Sequence, residues 1–348
     1  MTVRSKVDYA KELNAEQLAV VTSKPGPALV LAGAGSGKTR TLIYRLSWLV
    51  DQGFAKDRLL LLTFTNKAAK EMMSRSESLL GSHEGGGKLW GGTFHHTALR
   101  LLRRYHAALN LKPSFTIADT DDSQTLIKAI MKQFGLAASG QKRLSPAVIR
   151  DVISYSRNSG ATIAETVERK YPEQVKQTAL IEQVAAEYEQ RKSRSSVLDF
   201  DDLLHYWLRL LSDERQRAVI ARHWDYILVD EYQDTNWIQD QIVRLLAKDH
   251  NHVLAVGDDA QSIYSFRAAQ IENILQFPHN FLETEVFRLE RNYRSAPEIL
   301  NLANEVIAGN TKQFRKNLYT EESATSKPEL MIFGDPSQEA SWIVNRIL

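Results

Sequence analysis

An apolar run, Pro27-Ala28-Leu29-Val30-Leu31, passes directly into Ala32-Gly33-Ala34-Gly35-Ser36-Gly37-Lys38-Thr39, and a helix-period segment follows from Arg40 to Val50. A buried strand, a glycine-rich turn and a helix in that order strongly restrict the fold. The turn must lie at the carboxyl end of a sheet strand that helices cover. Its chemistry is equally constrained. Glycines let backbone N–H groups converge on phosphate oxygens, and the following helix points its positive end at the same place. Lys38 can reach the outer phosphates and the Thr39 hydroxyl can ligate Mg²⁺, with Ala34, Gly35, Ser36, Gly37 and Arg40 completing the cradle. Ala32 departs from the usual pattern, which has glycine there. The expectation is a bound nucleoside triphosphate with Mg²⁺.

Short β-rich runs recur along the chain, at Ala28–Leu31, Leu59–Phe64, Tyr226–Val229 and Val253–Val256, and each is followed by a polar loop and a helical pattern. That alternation predicts an open, mostly parallel α/β sheet. Its ligand loops, Gly33–Thr39, Thr63–Lys67, Asp230–Asp234 and Gly257–Gln261, then share one edge. A further strand is expected from Lys88 to Phe94, after a flexible loop at Gly85-Gly86-Gly87.

Strand patterns vanish from about Lys112 to Ser196. Asp119 caps a helix running through Ile130, Ser145-Pro146 starts another, and Gln174 to Ser193 reads as a charged helix. This predicts an all-helical domain inserted into the α/β one. The expected division is 1–111 and 199–288 for the α/β domain, 112–198 for the insertion, and 289–348 for the start of a second domain. Within that last part, Pro328 to Gly334 is expected to be a strand and Asp335-Pro336 to open a helix carrying Trp342, Ile343 and Ile347 on one face. That helix has no cap before Leu348, so the chain is expected to be a truncated piece of a longer protein.

Composition narrows the class by exclusion. The 348 residues include no cysteine, so disulfides, thiolate metal sites and cysteine nucleophiles are ruled out. The N-terminus lacks the apolar core of a signal peptide, and no apolar run approaches the ~20 residues that span a bilayer. A cytoplasmic protein without membrane contact is expected. The formal net charge of +2 points to no partner by itself. Basic clusters at Arg100, Arg103 and Arg104, at Lys142 and Arg143, and at Arg191, Lys192 and Arg194 read as solvated helix faces.

Two further segments carry chemistry. The strand Tyr226–Val229 ends in Asp230-Glu231, and phosphoryl transfer needs one carboxylate to hold Mg²⁺ and one group to orient or deprotonate the attacking water. Asp230 suits the first role and Glu231 the second. In Gly257-Asp258-Asp259-Ala260-Gln261, the glutamine can sense a terminal phosphate by hydrogen bonding. The aromatics Tyr264 and Phe266 with Arg267 follow it, and exposed aromatics beside cations can stack unpaired bases. Two aromatics at that spacing are equally well explained as core.

Taken in order from Leu13, these segments resemble the superfamily 1A DNA helicases of the UvrD/Rep/PcrA type. Leu13-Asn14-Ala15-Glu16-Gln17 is similar to the family's Q motif, which implies that Gln17 reads the adenine edge. Thr63-Phe64-Thr65-Asn66-Lys67 resembles motif Ia, and Gly92-Thr93-Phe94-His95 resembles the next strand-contacting motif. Val229–Thr235 resembles motif II, Val256–Arg267 motif III, and Leu289-Glu290-Arg291-Asn292-Tyr293-Arg294-Ser295 motif IV. The resemblance implies a RecA-like P-loop NTPase sheet and single-stranded DNA contacts by Phe64, Asn66, His95, Phe200, Tyr264, Phe266 and Arg267. It also implies that Tyr293 stacks on adenine and that Arg294 is an arginine finger. The parent activity it implies is an ATP- and Mg²⁺-dependent 3′→5′ translocase and helicase acting at single-strand/double-strand junctions.

Two departures stand out. Phe266 occupies a position where the family usually has tryptophan. Nothing from Ala296 to Leu348 resembles motifs V or VI, so the second RecA-like domain is expected to be incomplete. The alternative for this chain is therefore a nucleotide- and DNA-binding fragment with little turnover. A nucleotide kinase or switch of another kind is the weaker reading.

Overall fold

The computed structural model describes residues 7–81, 87–135 and 144–348. Six parallel strands form the central sheet: β1 (Ala28–Ala32), β2 (Leu59–Thr63), β3 (Trp90–Thr93), β6 (Tyr226–Val229), β7 (Val253–Gly257) and β8 (Glu285–Leu289). Their order is β3-β2-β6-β7-β1-β8. The remaining two strands, β4 (Thr116–Ile117) and β5 (Val197–Leu198), pair only with each other. Parallel strands with helices on both faces read as continuous apolar runs, and β1, β2, β6 and β7 are buried at every residue.

Period-two alternation sorts those residues between two cores. Leu29, Leu31, Leu60, Leu62, Ile227 and Val229 face one side, where Phe94, Trp207 and Trp224 pack against them. Val30, Leu59, Leu61, Leu228 and Leu254 face the other, beneath Leu42, Leu46 and Leu49. Each fully buried side chain of this kind stabilises the fold by ~1.5–3 kcal/mol. A third core, built from Ile127, Ile130, Ile149, Val152, Ile181 and Val184, lies wholly within the helices between residues 120 and 195.

Capping fixes where those helices begin. Asp119 caps the helix Thr120–Gln133, and Ser145 caps Pro146–Ser159 with proline in its first turn. The charged helix starts later than its sequence suggests: Pro172–Gln177 forms a tight 3-10 turn, and the α-helix runs from Thr178 to Ser195. This helical body docks on the sheet domain through hydrogen bonds. Asn158 donates to Asp201 at 2.7 Å and accepts from Asn236 at 2.8 Å.

Several expectations need correction. The short β4–β5 pair ties the two ends of the helical body together where no strand was expected. The strand expected over Lys88–Phe94 is only Trp90–Thr93, because the Thr93 hydroxyl caps a helix beginning at Phe94. Gly85, Gly86, Lys142 and Arg143 lie outside the described residues. Residues 328–334 are extended but form no strand. Leu330 and Ile332 project into solvent there, and among the described residues no strand lies beside them to share backbone hydrogen bonds. The helix Pro336–Ile347 does form, with Asp335 as its cap, and Trp342 packs against Phe333.

Candidate nucleotide site and nucleic-acid groove

Because the large sheet is parallel, the loops after β1, β2, β3, β6 and β7 all emerge at one edge. The turn after β1 wraps back on itself: Ser36 donates both its N–H and its hydroxyl to the Gly33 carbonyl, at 3.3 and 2.8 Å. Gly35 and Gly37 hold φ of +74° and +86°, values that side-chain-bearing residues rarely adopt. Ala32 is accounted for by its place. As the last residue of β1 it keeps extended backbone, so glycine's freedom is not needed there. Gln17 is buried and donates to the Ser36 carbonyl at 3.1 Å, steadying the turn from behind.

Lys38 opens the helix Lys38–Asp51, and its ammonium lies 2.9 Å from Glu231 Oε2. Glu231 occupies the left-handed region (φ +49°), an uncommon conformation that turns its carboxylate back from the end of β6 toward the loop. Gln233 donates to the same Glu231 oxygen at 2.8 Å. Beside this pair, Asp230 Oδ1 and Asp234 Oδ1 are buried without a hydrogen-bond partner. Burial, reinforced by the neighbouring Glu231 charge, pushes Asp230 and Asp234 each up to about 7. Buried carboxylate oxygens left unpartnered at the end of β6 are donors of the kind a hard divalent cation takes, so the residues present fit Mg²⁺.

The opposite wall comes from the segment after β8. Tyr293 N–H donates to the Gly35 carbonyl at 3.0 Å, and the Asn292 amide donates to the Ala34 carbonyl at 2.5 Å. Asn292 Oδ1 in turn accepts the Arg294 N–H at 2.8 Å. Between the walls lies a cavity of about 450 Å³ lined by Ala34, Gly35, Gly37, Lys38, Thr39, Arg40, Glu231, Gln261, Tyr293 and Arg294. Gln17, Ser36 and Asp230 sit behind this lining. The cavity also includes Glu71 and Arg75, for which the sequence carries no signal, whereas Asn292, Gln233 and Asp234 lie within motifs that could have flagged them.

The expected DNA-facing residues line two adjoining hollows of about 530 and 300 Å³. Phe64 and His95 line both; Phe266 and Arg267 line the larger, Asn66 and Phe200 the smaller. Tyr264 lines neither but links them, its ring 5.6 Å from Phe64 and 5.9 Å from Phe266. Phe266 is 64% exposed, which excludes the core explanation for its ring; Tyr264 is half-buried, and Phe200 is exposed. Burial holds His95 below its ordinary range, so it presents a neutral imidazole at neutral pH. The far wall of the larger hollow is the helical body, with Arg150, Tyr155 and Lys170; the Lys170 ammonium sits 3.6 Å from the Tyr155 ring centre.

The chain matches a family model described as the UvrD/REP helicase N-terminal domain over residues 13–282, and one described as the UvrD-like helicase C-terminal domain over 287–348. It is 37% identical over 346 residues to an ATP-dependent DNA helicase PcrA of Staphylococcus epidermidis, covering 97% of this chain and 46% of that protein. Against DNA helicase II of Escherichia coli strain K12 it is 38% identical over 343 residues, covering 96% and 46%. A Staphylococcus aureus PcrA is 36% identical over 342 residues. The chain spans about half the length of the curated relatives it matches.

Proposed function

The chain belongs to the UvrD/REP helicase family, and on that basis we propose that it binds Mg·ATP and single-stranded DNA as the motor portion of a 3′→5′ DNA translocase and helicase. One observation supports this most: the phosphate turn and the Tyr293-Arg294 segment close on one cavity, while exposed aromatics from neighbouring loops line a groove along the same edge. Lys38 would hold the outer phosphates, and Thr39 and Asp230 the metal, which supplies charge neutralisation of the phosphates when bound. Glu231 would orient the attacking water and take its proton, and Gln261 would sense the terminal phosphate. Tyr293, Arg40 and Gln17 surround the adenine side, and Arg294 would stabilise charge on the transferred group.

On the DNA side, Phe64, His95, Phe200, Tyr264 and Phe266 offer π-faces to successive bases, each worth ~1–3 kcal/mol, and Asn66 and Arg267 offer polar contacts. Binding at single-strand/double-strand junctions in the cytoplasm belongs to the same proposal. The second reading is a nucleotide- and single-strand-binding chain with little turnover. The test pairs nucleotide and single-strand binding with ATPase measured with and without DNA. Glu231→Gln should bind Mg·ATP normally while any single-strand-stimulated hydrolysis falls by roughly 10²-fold or more. Hydrolysis indifferent to DNA would sink the reading.

A further inference from the structure

After the helix Pro297–Ala308 the chain comes back to the sheet edge, and residues 314–319 form a strap beside the phosphate turn. One end is anchored at the phosphate turn. The Leu318 side chain fills the space beside Gly33, where an added Cβ would come within 2.3 Å of it, and the Tyr319 carbonyl accepts the Asn292 N–H at 2.7 Å. The other end is anchored by charge. The Lys316 ammonium lies 2.7 Å from Asp258 Oδ1 and 2.6 Å from Asp259 Oδ1, and its side chain is only 4% exposed. Phe314 N–H donates to Asp259 Oδ2 at 2.9 Å.

Asp258 sits where several contacts meet. Its Oδ2 accepts from Gln261 Nε2 at 2.5 Å, and its N–H donates to Gln233 Oε1 at 3.0 Å. Gln233 bonds Glu231, and Glu231 holds Lys38. An unbroken polar chain thus runs from Lys38 through Glu231, Gln233 and Asp258 to Lys316. Asp258 Oδ1 also accepts the Ala260 N–H at 3.1 Å, but without the ammonium Asp258 would be a buried carboxylate lacking a counter-charge, held by that one backbone donor and less able to fix the amide it holds.

The geometry points to Lys316 as a positioning residue: by clamping Asp258 it aims the Gln261 amide at the cavity, so that a terminal phosphate there is felt by the 314–319 strap. This rests on the reading of the cavity as a nucleoside triphosphate site. A buried ion pair with a merely structural role would change affinity for di- and triphosphates alike. A positioning role predicts a loss confined to the triphosphate, because only the terminal phosphate meets Gln261.

The test titrates the full 348-residue chain with Mg·ADP and with a non-hydrolysable Mg·ATP analogue. In Lys316→Met the preference for the triphosphate should fall about tenfold at constant ADP affinity, as expected for one lost hydrogen bond to a charged group. In a Gln261→Ala background the same substitution should have no further effect on that preference. Equal losses for both nucleotides, or additive effects of the two substitutions, would overturn the inference. If Lys316→Met does not fold, hydrogen exchange on the unmodified chain decides. The Phe314 amide should be protected more by the triphosphate analogue than by ADP, and equal protection overturns the proposal. A wild-type chain that binds neither nucleotide fails the cavity reading itself, a result distinct from loss of discrimination.

Discussion

The molecule contains two groups of buried charge that look alike in composition and differ in completeness. Where the helical body meets the sheet domain, Lys192 lies 2.5 Å from Asp199, 2.6 Å from Asp202 and 3.0 Å from Glu189, and Arg157 reaches Asp202 at 2.9 Å. Asp199 and Asp202 also cap the helix Phe200–Ser212 through each other's backbone N–H groups. Burial alone would raise both carboxyls, but the pair divides: Lys192 and Arg157 outweigh burial and hold Asp199 below its ordinary range, while burial and the Asp199 charge push Asp202 up to about 6. At the sheet edge Asp230 and Asp234 have buried oxygens with no partner, and both are driven upward instead. Three carboxylates surround a potential cation position in the first group, yet an ammonium already fills it. Missing partners, rather than clustered charges, mark the place that awaits a ligand.

Breaking the complete group should produce the largest effect. Lys192→Met leaves buried carboxylates without their cation and should cost about 3–5 kcal/mol in urea unfolding, with nucleotide affinity retained at temperatures where the chain stays folded. Lys38→Ala should do the reverse. Its partner Glu231 is a third exposed, so stability should change by less than about 1 kcal/mol, while Mg·ATP affinity falls by roughly 10²-fold in a calorimetric titration. Unchanged affinity would refute the role given to Lys38.

The incomplete group should respond to pH and to neutralisation. A carboxyl raised to about 7 when folded is protonated below that pH, so its stabilising contribution is full below the unfolded value near 4 and is lost as pH rises through about 7. Mg²⁺ requires the ionised form. Mg·ATP binding near pH 7 should therefore release on the order of one proton, visible as a dependence of binding heat on buffer ionisation enthalpy. Asp230→Asn should stabilise the ligand-free chain by about 1 kcal/mol above pH 7 and remove most of that proton release. The smallest effect belongs to the groove. Phe266→Trp enlarges an exposed π-face and should tighten single-strand binding by a few fold in fluorescence anisotropy.

How far this was legible in the sequence depends on what each residue answers to. The strands β1, β2, β6 and β7 announce themselves because burial on both faces demands unbroken apolar runs, and the caps at Asp119 and Ser145 follow from local chemistry. By contrast, β8 is an edge strand whose Glu285, Val286 and Arg288 are exposed, so its pattern is not that of a core strand. The cavity-lining residues of the phosphate turn were readable from their spacing, and Tyr293 and Arg294 only through the family resemblance. Arg75, Arg150 and Lys170 were not, since a cation on a helix face reads the same whether it meets solvent or a ligand. The basic cluster around Arg100 shows the converse: Arg100 packs 3.8 Å over Trp90 and Arg103 3.7 Å over Phe115, each spent on a neighbouring ring. Lys316 gave no signal at all, because its two carboxylates lie almost sixty residues earlier in the chain.

The contact between Lys38 and Glu231 has a bearing on traffic through the site. An entering anion must take the lysine away from a carboxylate that already occupies it, at 2.9 Å. A triphosphate brings high charge and a base that can be gripped elsewhere, so it can win that exchange. Inorganic phosphate has neither advantage, and Glu231 repels it at close range. On the proposed reading of the cavity, the Lys38–Glu231 pair therefore weighs more heavily against a small anion than against a triphosphate, since either must displace the carboxylate to be held.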